Sequence, residues 1–212
     1  MTPNPARAVL FDVFGTLVHF GRKRRPFLTL MQDLPPDRER ALGIRRRLMT
    51  STVPTIRDAA TSLAESLRQP LREEVIRAAE VELEEHLASC RLAEGAQTLL
   101  RELREDGYGV ALVSNLASVY VPVLQQLGLR EMVDHATYSC EVGRIKPDPG
   151  IYDLTLETLG VEPANATMVG NSLRADVVGA KRSGLQAVWI TENRDPEHAC
   201  VARLEDLRSV LA

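Results

Sequence analysis

A carboxylate stands at the end of an apolar run near the start of the chain. Asp12 lies in V-L-F-D-V-F-G-T-L-V, residues 9–18. If residues 8–13 form a buried strand, Asp12 lies at its carboxyl end, where doubly wound sheets bind ligands. Gly15 permits a tight turn there, and Thr16 brings a hydroxyl near the carboxylate. Asp12 and Thr16 are therefore candidate catalytic residues, although a carboxylate that only caps the loop would give the same pattern.

Two later motifs offer groups that hold anions. Ser114 and Asn115 end the stretch A-L-V-S-N, and their side chains, with the free N–H groups of a following helix, suit anionic oxygens. A helix N-cap explains Ser114 better when that residue is taken alone. Lys146 lies in G-R-I-K-P-D-P, residues 143–149, where two prolines stiffen the chain. A lysine held in this way is a point charge suited to neutralising a phosphate or a crowded carboxylate cluster.

The stretch M-V-G-N-S-L-R-A-D-V-V-G-A, residues 168–180, places Asn171 and Asp176 around a short turn after an apolar run. Both offer oxygen atoms of the kind that a hard cation takes as ligands. The alternative is that Asp176 is an acid in the first turn of a helix, where it complements the helix dipole. Each of the four motifs has such a plain explanation, but their shared position at strand ends favours one common site.

The elements that would position these residues alternate along the chain. Short apolar runs predict buried parallel strands at residues 8–13, 109–113, 167–169 and 186–190. Helical spacing, with glycine at the end, predicts helices at residues 93–106, 149–159 and 173–183. Alternation of this kind is typical of βαβ units and predicts an α/β fold, a three-layer doubly wound parallel sheet of the Rossmann-like type.

The region between residues 19 and 90 has a different texture. It holds no convincing strand, and it separates the first strand from the next by far more than one crossover requires. Apolar residues recur there at helical spacing, with breaks at two prolines; the expected helices are residues 38–49, 55–67 and 71–87. We therefore expect a catalytic core of residues 1–18 and 91–212 and an inserted all-helical cap of residues 19–90.

Composition narrows the class of protein. The chain has 212 residues with 44% hydrophobic and 26% charged residues and a net charge of −3, which is ordinary for a globular protein and predicts no nucleic-acid or membrane partner. Its three cysteines lie far apart and favour a reducing compartment. No signal-like segment and no apolar run of about 20 residues is present. We expect a cytoplasmic protein, and composition does not predict its oligomeric state.

Taken in order, the four motifs resemble those of the haloacid dehalogenase superfamily, which are aspartate-nucleophile hydrolases. The resemblance extends from residue 9 to about residue 190, and the helical insert matches the cap that one subclass carries after the first strand. It implies that Asp12 attacks the substrate and forms a covalent intermediate that water then hydrolyses. It also implies that Ser114 binds the transferring group and that Lys146 stabilises the nucleophile and its charge.

The same resemblance implies a Mg²⁺ site. Asp176 and Asn171 would bind or orient the ion together with Asp12 and the backbone carbonyl of Phe14. The expected substrate is a small anionic molecule, foremost a phosphorylated metabolite. Its binding residues would be Ser114 and Lys146, with Asn115 and Phe14 beside them. Asn171 stands where an aspartate is commoner, which removes one negative charge and predicts weaker metal binding.

Position 14 departs from the phosphatase pattern, because phosphatases of the superfamily usually carry there a second aspartate that acts as general acid and base. Phe14 cannot transfer a proton, and such transfer is typically worth about 10²–10⁴-fold in rate. Activated esters and acyl or phenolic phosphates need that help least. The 2-haloacid dehalogenases, whose motif often has an aromatic residue there, need no acid because halide leaves unprotonated. They also tend to have an asparagine where this chain has Leu173, and they hold halide with a cap arginine and aromatic residues.

Three functional hypotheses therefore stay open: a phosphatase, which the Asn171–Asp176 motif favours; a 2-haloacid dehalogenase without metal; and a weakly catalytic binding or regulatory protein. Basic residues at positions 22–25 and 45–47 would either steer an anionic substrate or form a solvated face, and we favour the second. His19 is a weak candidate to replace the missing acid. Trp189 is expected in the core, and residues 201–211 are expected to form an amphipathic helix.

Overall fold

A six-stranded parallel sheet forms the centre of the computed structural model, which describes residues 5–32, 38–193 and 195–211. The side chains of Arg38 and Arg40 lie outside this description as well. From one edge to the other the strands run β5-β4-β1-β6-β7-β8. Their bounds are β1 Ala8–Phe11, β4 Gly109–Ser114, β5 His135–Tyr138, β6 Ala166–Gly170, β7 Gln186–Ile190 and β8 Cys200–Val201.

The first strand lies between β4 and β6, the strands that carry the motifs of Ser114 and Asn171. Phe11 is in register with Leu112 of β4 and with Val169 of β6. The N–H of Asp12 continues this pairing by donating to the carbonyl of Val169 at 2.9 Å. Because all three strands are parallel, their carboxyl ends meet at one edge of the sheet, and the residues that follow them lie close together.

Helices cover both faces of the sheet. Val9 and Phe11 point to one face, where they join a buried cluster that includes Leu100 of helix α5. Ala8 and Leu10 point to the other face and join a cluster that includes Tyr152 of α8. The helices along the sheet are α5 Ala96–Glu105, α6 Val121–Gln126, α7 Ser139–Val142, α8 Pro149–Leu159 and α9 Gly179–Arg182, the last preceded by a π-helical segment, Leu173–Val178. These three layers confirm the predicted fold class.

In the described residues four helices lie between β1 and α5, and we call them the helical insert. They are α1 Pro26–Leu30, α2 Arg38–Met49, α3 Ile56–Leu67 and α4 Glu73–Ala88. They share an apolar core that includes Leu30, Ile56 and, from the chain after β4, Val119. A capping box begins α3, because Thr55 accepts from the N–H of Asp58 and the Asp58 carboxylate accepts from the N–H of Thr55.

A short antiparallel pair joins the helical insert to the sheet. Strand β2, Val18–Phe20, pairs with β3, Cys90–Leu92, so that His19 lies opposite Arg91. The sequence predicted no strand between residues 19 and 90, and each strand of this pair has only three residues, too few to show a pattern. The pair lies where we expected the boundaries between core and cap; those boundaries stay a prediction.

Two expectations for the end of the sheet and the end of the chain differ from the structure. Strand β5 was not predicted because H-A-T-Y is not an apolar run, as suits an edge strand that is only partly buried. Residues 201–211 do not form the expected α-helix. They complete β8 and then form a 3₁₀ helix, Leu204–Ser209, that buries Leu204 and Leu207 three residues apart.

Candidate active site

The four predicted motifs meet at the carboxyl edge of the sheet. Lys146 Nζ lies 2.8 Å from Asp12 Oδ1 and 2.7 Å from Asp176 Oδ1. Ser114 Oγ donates to the same oxygen of Asp12 at 3.3 Å. The contact between Lys146 and Asp12 joins residues 134 positions apart, so it is made by the fold and not by local chain geometry. We call these four residues the charged cluster.

Every N–H donor of the Lys146 ammonium group has an acceptor. Its ammonium group has three N–H donors, and Nζ also donates to the carbonyl of Val113 at 2.6 Å. The side chain is 2% exposed. Burial alone would lower the pKa of Lys146, but the adjacent carboxylates of Asp12 and Asp176 outweigh this and raise the pKa above its ordinary value. The ammonium is therefore a permanent charge that holds two carboxylates in place.

Asp176 is the most enclosed acid of the site. Its Oδ2 accepts from the N–H of Ser172 at 2.8 Å, while Oδ1 faces Lys146. Burial raises the pKa of Asp176, the charge of Lys146 opposes that rise, and the nearby charge of Asp12 adds to it. A Cβ at Gly170 would lie 2.4 Å from the carboxylate carbon of Asp176. Only glycine at the end of β6 therefore leaves room for this carboxylate.

Asn115 positions the loop that carries Lys146. Its amide Nδ2 donates to the carbonyl of Lys146 at 2.9 Å, and its Oδ1 accepts from the N–H of Lys146 at 2.7 Å. This reciprocal pair ties the end of β4 to a loop more than thirty residues later in the chain. The side-chain amide of Asn115 therefore contacts protein backbone and not a substrate. Of the substrate-binding role expected from the sequence, only the backbone N–H of Asn115 is left to fulfil it.

Asp12 differs from its neighbours in being approachable. Its side chain is 11% exposed, against 1% for Asp176. No described residue donates a hydrogen bond to its second oxygen, Oδ2. Within the described chain, the backbone N–H groups of Phe14 and Asn115 also lack protein acceptors. A carboxylate oxygen and free donors next to it are what an approaching electrophile with anionic oxygens requires.

Thr16 is placed beside this loop without a partner. Its Oγ1 is the one fully buried side-chain polar atom, among the described residues, that has no hydrogen-bond partner. A buried hydroxyl without a partner costs about 1–3 kcal/mol, and such atoms are commonly satisfied by water or a ligand. The role expected for Thr16 stays a prediction.

Asn171 packs against the loop that follows Asp12. A Cβ at Gly15, where φ is +84°, would lie 2.0 Å from Asn171 Nδ2. Gly15 therefore serves both the turn and the close approach of Asn171. The indole Nε1 of Trp189 donates to the Asn171 carbonyl at 3.0 Å. Trp189 was predicted in the core, but its side chain is only half-buried. Its hydrogen bond instead holds the backbone of Asn171 in place.

Two residues that the sequence analysis did not single out, Tyr152 and Gly179, hold the segments that carry the charged cluster. Tyr152 donates from its hydroxyl to the carbonyl of Ala175, next to Asp176, and Gly179 lets Pro147 pack closely, since a Cβ there would lie 2.6 Å from Pro147 Cβ. Tyr152 gave no signal beyond an aromatic residue in a helix. Gly179 lay within a motif already singled out, and a glycine inside a helix is itself a sign of close packing.

Phe14 belongs to an aromatic cluster at the base of the helical insert. Its ring stacks on Phe20 with centroids 4.8 Å apart, and Phe20 stacks in turn on His86 at 3.7 Å. Tyr120 meets Phe14 edge to face at 5.4 Å, and its hydroxyl lies 3.2 Å from His86 Nδ1. With Phe27, whose ring lies edge-on to Tyr120, these residues form what we call the aromatic cluster. The sequence alone does not reveal this cluster because its members come from separate segments of the chain.

An apolar cavity of about 590 Å³ lies between the aromatic cluster, α1, α2 and the chain after β4. Phe14 and Asn115 form the part of its wall next to the charged cluster. Arg25 and Arg45 contribute to its lining and are both exposed. Arg24 also lines it, but its guanidinium is paired with Glu85.

The remaining candidates lie away from the charged cluster. His19 is exposed on β2 and makes no hydrogen bond to the charged cluster, so the structure gives no support to a proton-donor role. Arg22, Lys23 and Arg46 are exposed, and Arg47 donates to Ser66 Oγ. The basic runs are therefore mostly the solvated face that we favoured. No helix in the described parts of the chain has the length and apolar character needed to cross a bilayer.

Comparison with known proteins places this arrangement in a family. The family model described as haloacid dehalogenase-like hydrolase matches residues 6–184. Phosphoserine phosphatase of Thermus thermophilus is 37% identical over 123 residues, which cover 54% of this chain and 48% of that protein. The chain spans about half the length of the curated relatives that it matches first.

Solved structures cover more of the chain. A HAD phosphatase from Thermococcus onnurineus superposes with a TM-score of 0.65 at 28% identity, covering 97% of this chain and 98% of the other. A dehalogenase superposes with a TM-score of 0.64 at 22% identity, covering 97% of both chains, a likeness of fold alone. Because the family model extends over most of the chain and includes all four motifs, the chain belongs to the haloacid dehalogenase-like hydrolases.

Proposed function

We propose that this chain is a phosphohydrolase that acts on a small phosphorylated molecule, with Asp12 as its covalent nucleophile. The observation that carries the proposal is the asymmetry of the Asp12 carboxylate. Oδ1 accepts hydrogen bonds from Lys146 and Ser114, whereas Oδ2 accepts none from any described residue. A nucleophile must be fixed in position and still present one free lone pair to the substrate.

The reaction would proceed in two balanced steps. Asp12 Oδ2 attacks phosphorus, a bond from Oδ2 to phosphorus forms, and the bond to the leaving oxygen breaks with its electron pair. Water then attacks the phosphorus of the aspartyl phosphate, the bond to Oδ2 breaks, and the proton of the water passes to the phosphate product. Asp12 is regenerated as a carboxylate.

The other residues would hold the nucleophile and the phosphoryl oxygens. Lys146 has all three donors occupied, so we assign it the orientation of Asp12 and the compensation of its charge rather than direct contact with substrate. Ser114 Oγ and the free N–H groups of Phe14 and Asn115 are the donors available for phosphoryl oxygens. Asn115 would act through its side chain by fixing the backbone of Lys146.

The oxygen atoms of the site suit one Mg²⁺. Asp12, Asp176 and the Asn171 amide, with the carbonyl of Phe14, are hard ligands of the kind this ion takes together with water. Only two of these groups, Asp12 and Asp176, are carboxylates, and no third acidic, histidine or cysteine side chain among the described residues completes a metal-binding group. When bound, the ion would neutralise charge on the phosphoryl group.

The helical insert would act as a cap. It encloses one side of the apolar cavity, and its helices pack on one another in a shared apolar core, so they would move together over the substrate. Closure would exclude bulk water from the reacting group. The family membership and the phosphatase names of the curated relatives support phosphoryl transfer.

A second candidate function is 2-haloacid dehalogenation. The aromatic cluster beside Asp12, with Arg25 and Arg45 at the same cavity, favours it. Asp12 would then attack the carbon that bears the halogen, the carbon–halogen bond would break with release of halide, and water would hydrolyse the resulting ester at the Asp12 carboxyl carbon. This reaction needs neither a proton donor at position 14 nor a metal.

A substrate panel separates the two functions. The chain is incubated with acetyl phosphate, p-nitrophenyl phosphate, glycerol 3-phosphate and 2-chloropropionate, with and without Mg²⁺, and both phosphate and halide are measured. We expect Mg²⁺-dependent phosphate release, and a phosphoryl group on the peptide that contains Asp12 after acid quenching. Halide release without Mg²⁺ would establish the dehalogenase instead. No turnover of any compound would favour a binding or regulatory protein.

A further inference from the structure

We infer that the preferred substrate carries its phosphoryl group on an acidic oxygen attached to a flat apolar ring, as in an aryl phosphate or an aroyl phosphate. This inference rests on the proposed function and names the substrate class of the same site. Two observations support it: the volume and lining of the apolar cavity, and the residue type at position 14.

The cavity is built to receive an apolar ring. Its volume of about 590 Å³ lies within the range of small-molecule sites. Phe14, Phe20 and Tyr120 contribute aromatic surface, and Met31 and Leu48 contribute aliphatic surface. Aromatic rings pack favourably on one another by offset stacking or edge-to-face contact. An extended polyol or an amino acid would find few hydrogen-bond partners on these walls.

The cavity adjoins the residues that follow the nucleophile and Ser114. Phe14 follows Asp12 by two residues, and Asn115 follows Ser114, whose Oγ contacts Asp12. Both Phe14 and Asn115 form part of the cavity wall. The cavity is therefore the apolar space next to a phosphoryl group bound at Asp12, and we assign the leaving group to it.

The mouth of the cavity carries apolar side chains that monomeric proteins normally bury. Leu28 and Leu42 are 51% and 56% exposed and both line the cavity. Neither Arg25 nor Arg45, at the same cavity, forms an ion pair with any described residue. Exposed leucines beside these arginines suit the entry of a ligand that carries both an apolar ring and an anionic group.

The chemistry of position 14 points to the same substrate class. Phe14 cannot protonate a leaving oxygen, so an alkoxide would have to depart without help that is typically worth about 10²–10⁴-fold. A phenolate or a carboxylate is stable enough to depart as an anion. The residue that removes the acid is thus the residue that lines the ring pocket, and one substrate satisfies both facts.

Matched substrate pairs test the inference. 2-Naphthyl phosphate and phenyl phosphate have leaving groups of similar acidity but different apolar area, and benzoyl phosphate and acetyl phosphate form a second such pair. We expect kcat/KM to be about tenfold or more higher for the larger member of each pair, the scale of discrimination by one small apolar group in a fitted pocket. Cyclohexylmethyl phosphate, which is apolar but has a poor leaving group, should be a weak substrate.

A pair of surface variants tests whether the cavity is responsible. Leu42→Ser should lower the naphthyl-to-phenyl ratio of kcat/KM about threefold, mainly through KM, because the apolar mouth is lost. Val81→Ser is the control, since Val81 is 55% exposed on the helical insert but does not line the cavity. Both changes are at exposed positions and should leave folding intact, which thermal unfolding checks.

The outcomes distinguish the inference from the proposed function. Hydrolysis of acetyl phosphate with equal or lower kcat/KM for the larger compounds would overturn the ring pocket and leave the phosphohydrolase standing. A preference for the larger compounds that Leu42→Ser and Val81→Ser alter equally would also overturn it, because the cavity would not be its source. Failure to release phosphate from any compound would refute the proposed function itself.

Discussion

Lys146 at the sheet edge and Arg57 on the helical insert each bridge a pair of carboxylates. Lys146 lies 2.8 Å from Asp12 and 2.7 Å from Asp176, and its side chain is 2% exposed. Arg57 lies 3.0 Å from Glu73 and 3.2 Å from Glu80, and its side chain is 48% exposed. The distances are nearly alike, but the surroundings are opposite.

The comparison shows what burial adds to the same set of charges. At the surface, water screens the attraction, and an ion pair contributes little to stability. In the interior, each charge loses its hydration, and the pair persists only because every partner is present. Clusters of buried charges with perturbed pKa values are concentrated at functional sites. The charged cluster is therefore a candidate active site on physical grounds. Arg57 and its two glutamates, which are exposed to water, are not.

The largest expected effect separates the two regions by activity. Asp12→Asn should reduce hydrolysis by at least about 10⁴-fold, the scale seen when a covalent nucleophile is removed. The fold should persist because an amide can still accept from Lys146 and Ser114. Asp58→Asn on the helical insert is the control, and its turnover should equal that of the parent. Steady-state kinetics and circular dichroism measure both; full turnover in Asp12→Asn would exclude Asp12 as the nucleophile.

Removal of the bridging cation compares the two clusters by stability. Lys146→Met leaves two buried carboxylates uncompensated and should lower the free energy of unfolding by about 3–5 kcal/mol. Arg57→Met should change stability little because Glu73 and Glu80 remain hydrated. Urea unfolding followed by fluorescence measures both. Equal losses in the two variants would show that burial does not distinguish the clusters.

A carboxyl group introduced at position 14, between the charged cluster and the aromatic cluster, tests whether the reaction lacks a proton donor. Phe14→Asp places a carboxyl group beside Asp12 and should raise turnover of alkyl phosphates at least about tenfold, since proton transfer to the leaving oxygen becomes possible. Phe14→Asn removes the same ring without supplying an acid and serves as the control. The measurement is kcat for glycerol 3-phosphate. Equal rates in the two variants would mean that the missing acid does not limit the reaction.

A further charge at the sheet edge should strengthen metal binding. Asn171→Asp supplies the carboxylate that the donor set lacks and should lower the dissociation constant for Mg²⁺ roughly tenfold, because affinity follows ligand charge. Asn165→Asp makes the same change on an exposed residue just before β6, at the opposite end of that strand, and should not alter the affinity. Isothermal titration with Mg²⁺ gives both values without reliance on turnover. Equal affinities would remove Asn171 from the proposed ligand set.

The smallest expected effect concerns pH and the aromatic cluster. Burial lowers the pKa of His86 below its ordinary value near 6.5, and the charge of Glu82 opposes this only in part. The unfolded chain therefore binds a proton more readily, and the free energy of unfolding should fall as the pH drops below about 6.5. Burial also lowers the pKa of His135, on β5.

His86→Gln and His135→Gln separate these contributions. Each variant should flatten the decline in stability between pH 6.5 and lower values, and the double variant should flatten it most. Urea unfolding at a series of pH values measures the slope. A slope unchanged in His86→Gln would mean that the histidine of the aromatic cluster does not titrate differently in the folded chain.

Much of the fold was readable because its signals are local. The apolar runs that became β1, β4, β6 and β7 are contiguous, and glycines mark the ends of α5 and α8. Strand β5 and the β2–β3 pair were missed because their stability comes from neighbouring strands. The closing 3₁₀ helix was missed because its two buried leucines fit more than one helical period.

The sequence by itself determined which residues stand at strand ends and in what order, since strand patterns and turn residues depend only on near neighbours in the chain. Tertiary structure alone decided that Lys146 reaches both carboxylates at once and that Asn115 clamps the backbone of Lys146. It also decided that Phe14, Phe20 and Tyr120 gather around one cavity. These contacts join residues many positions apart, and their energies depend on burial and mutual orientation, which the spacing of residues along a chain does not contain.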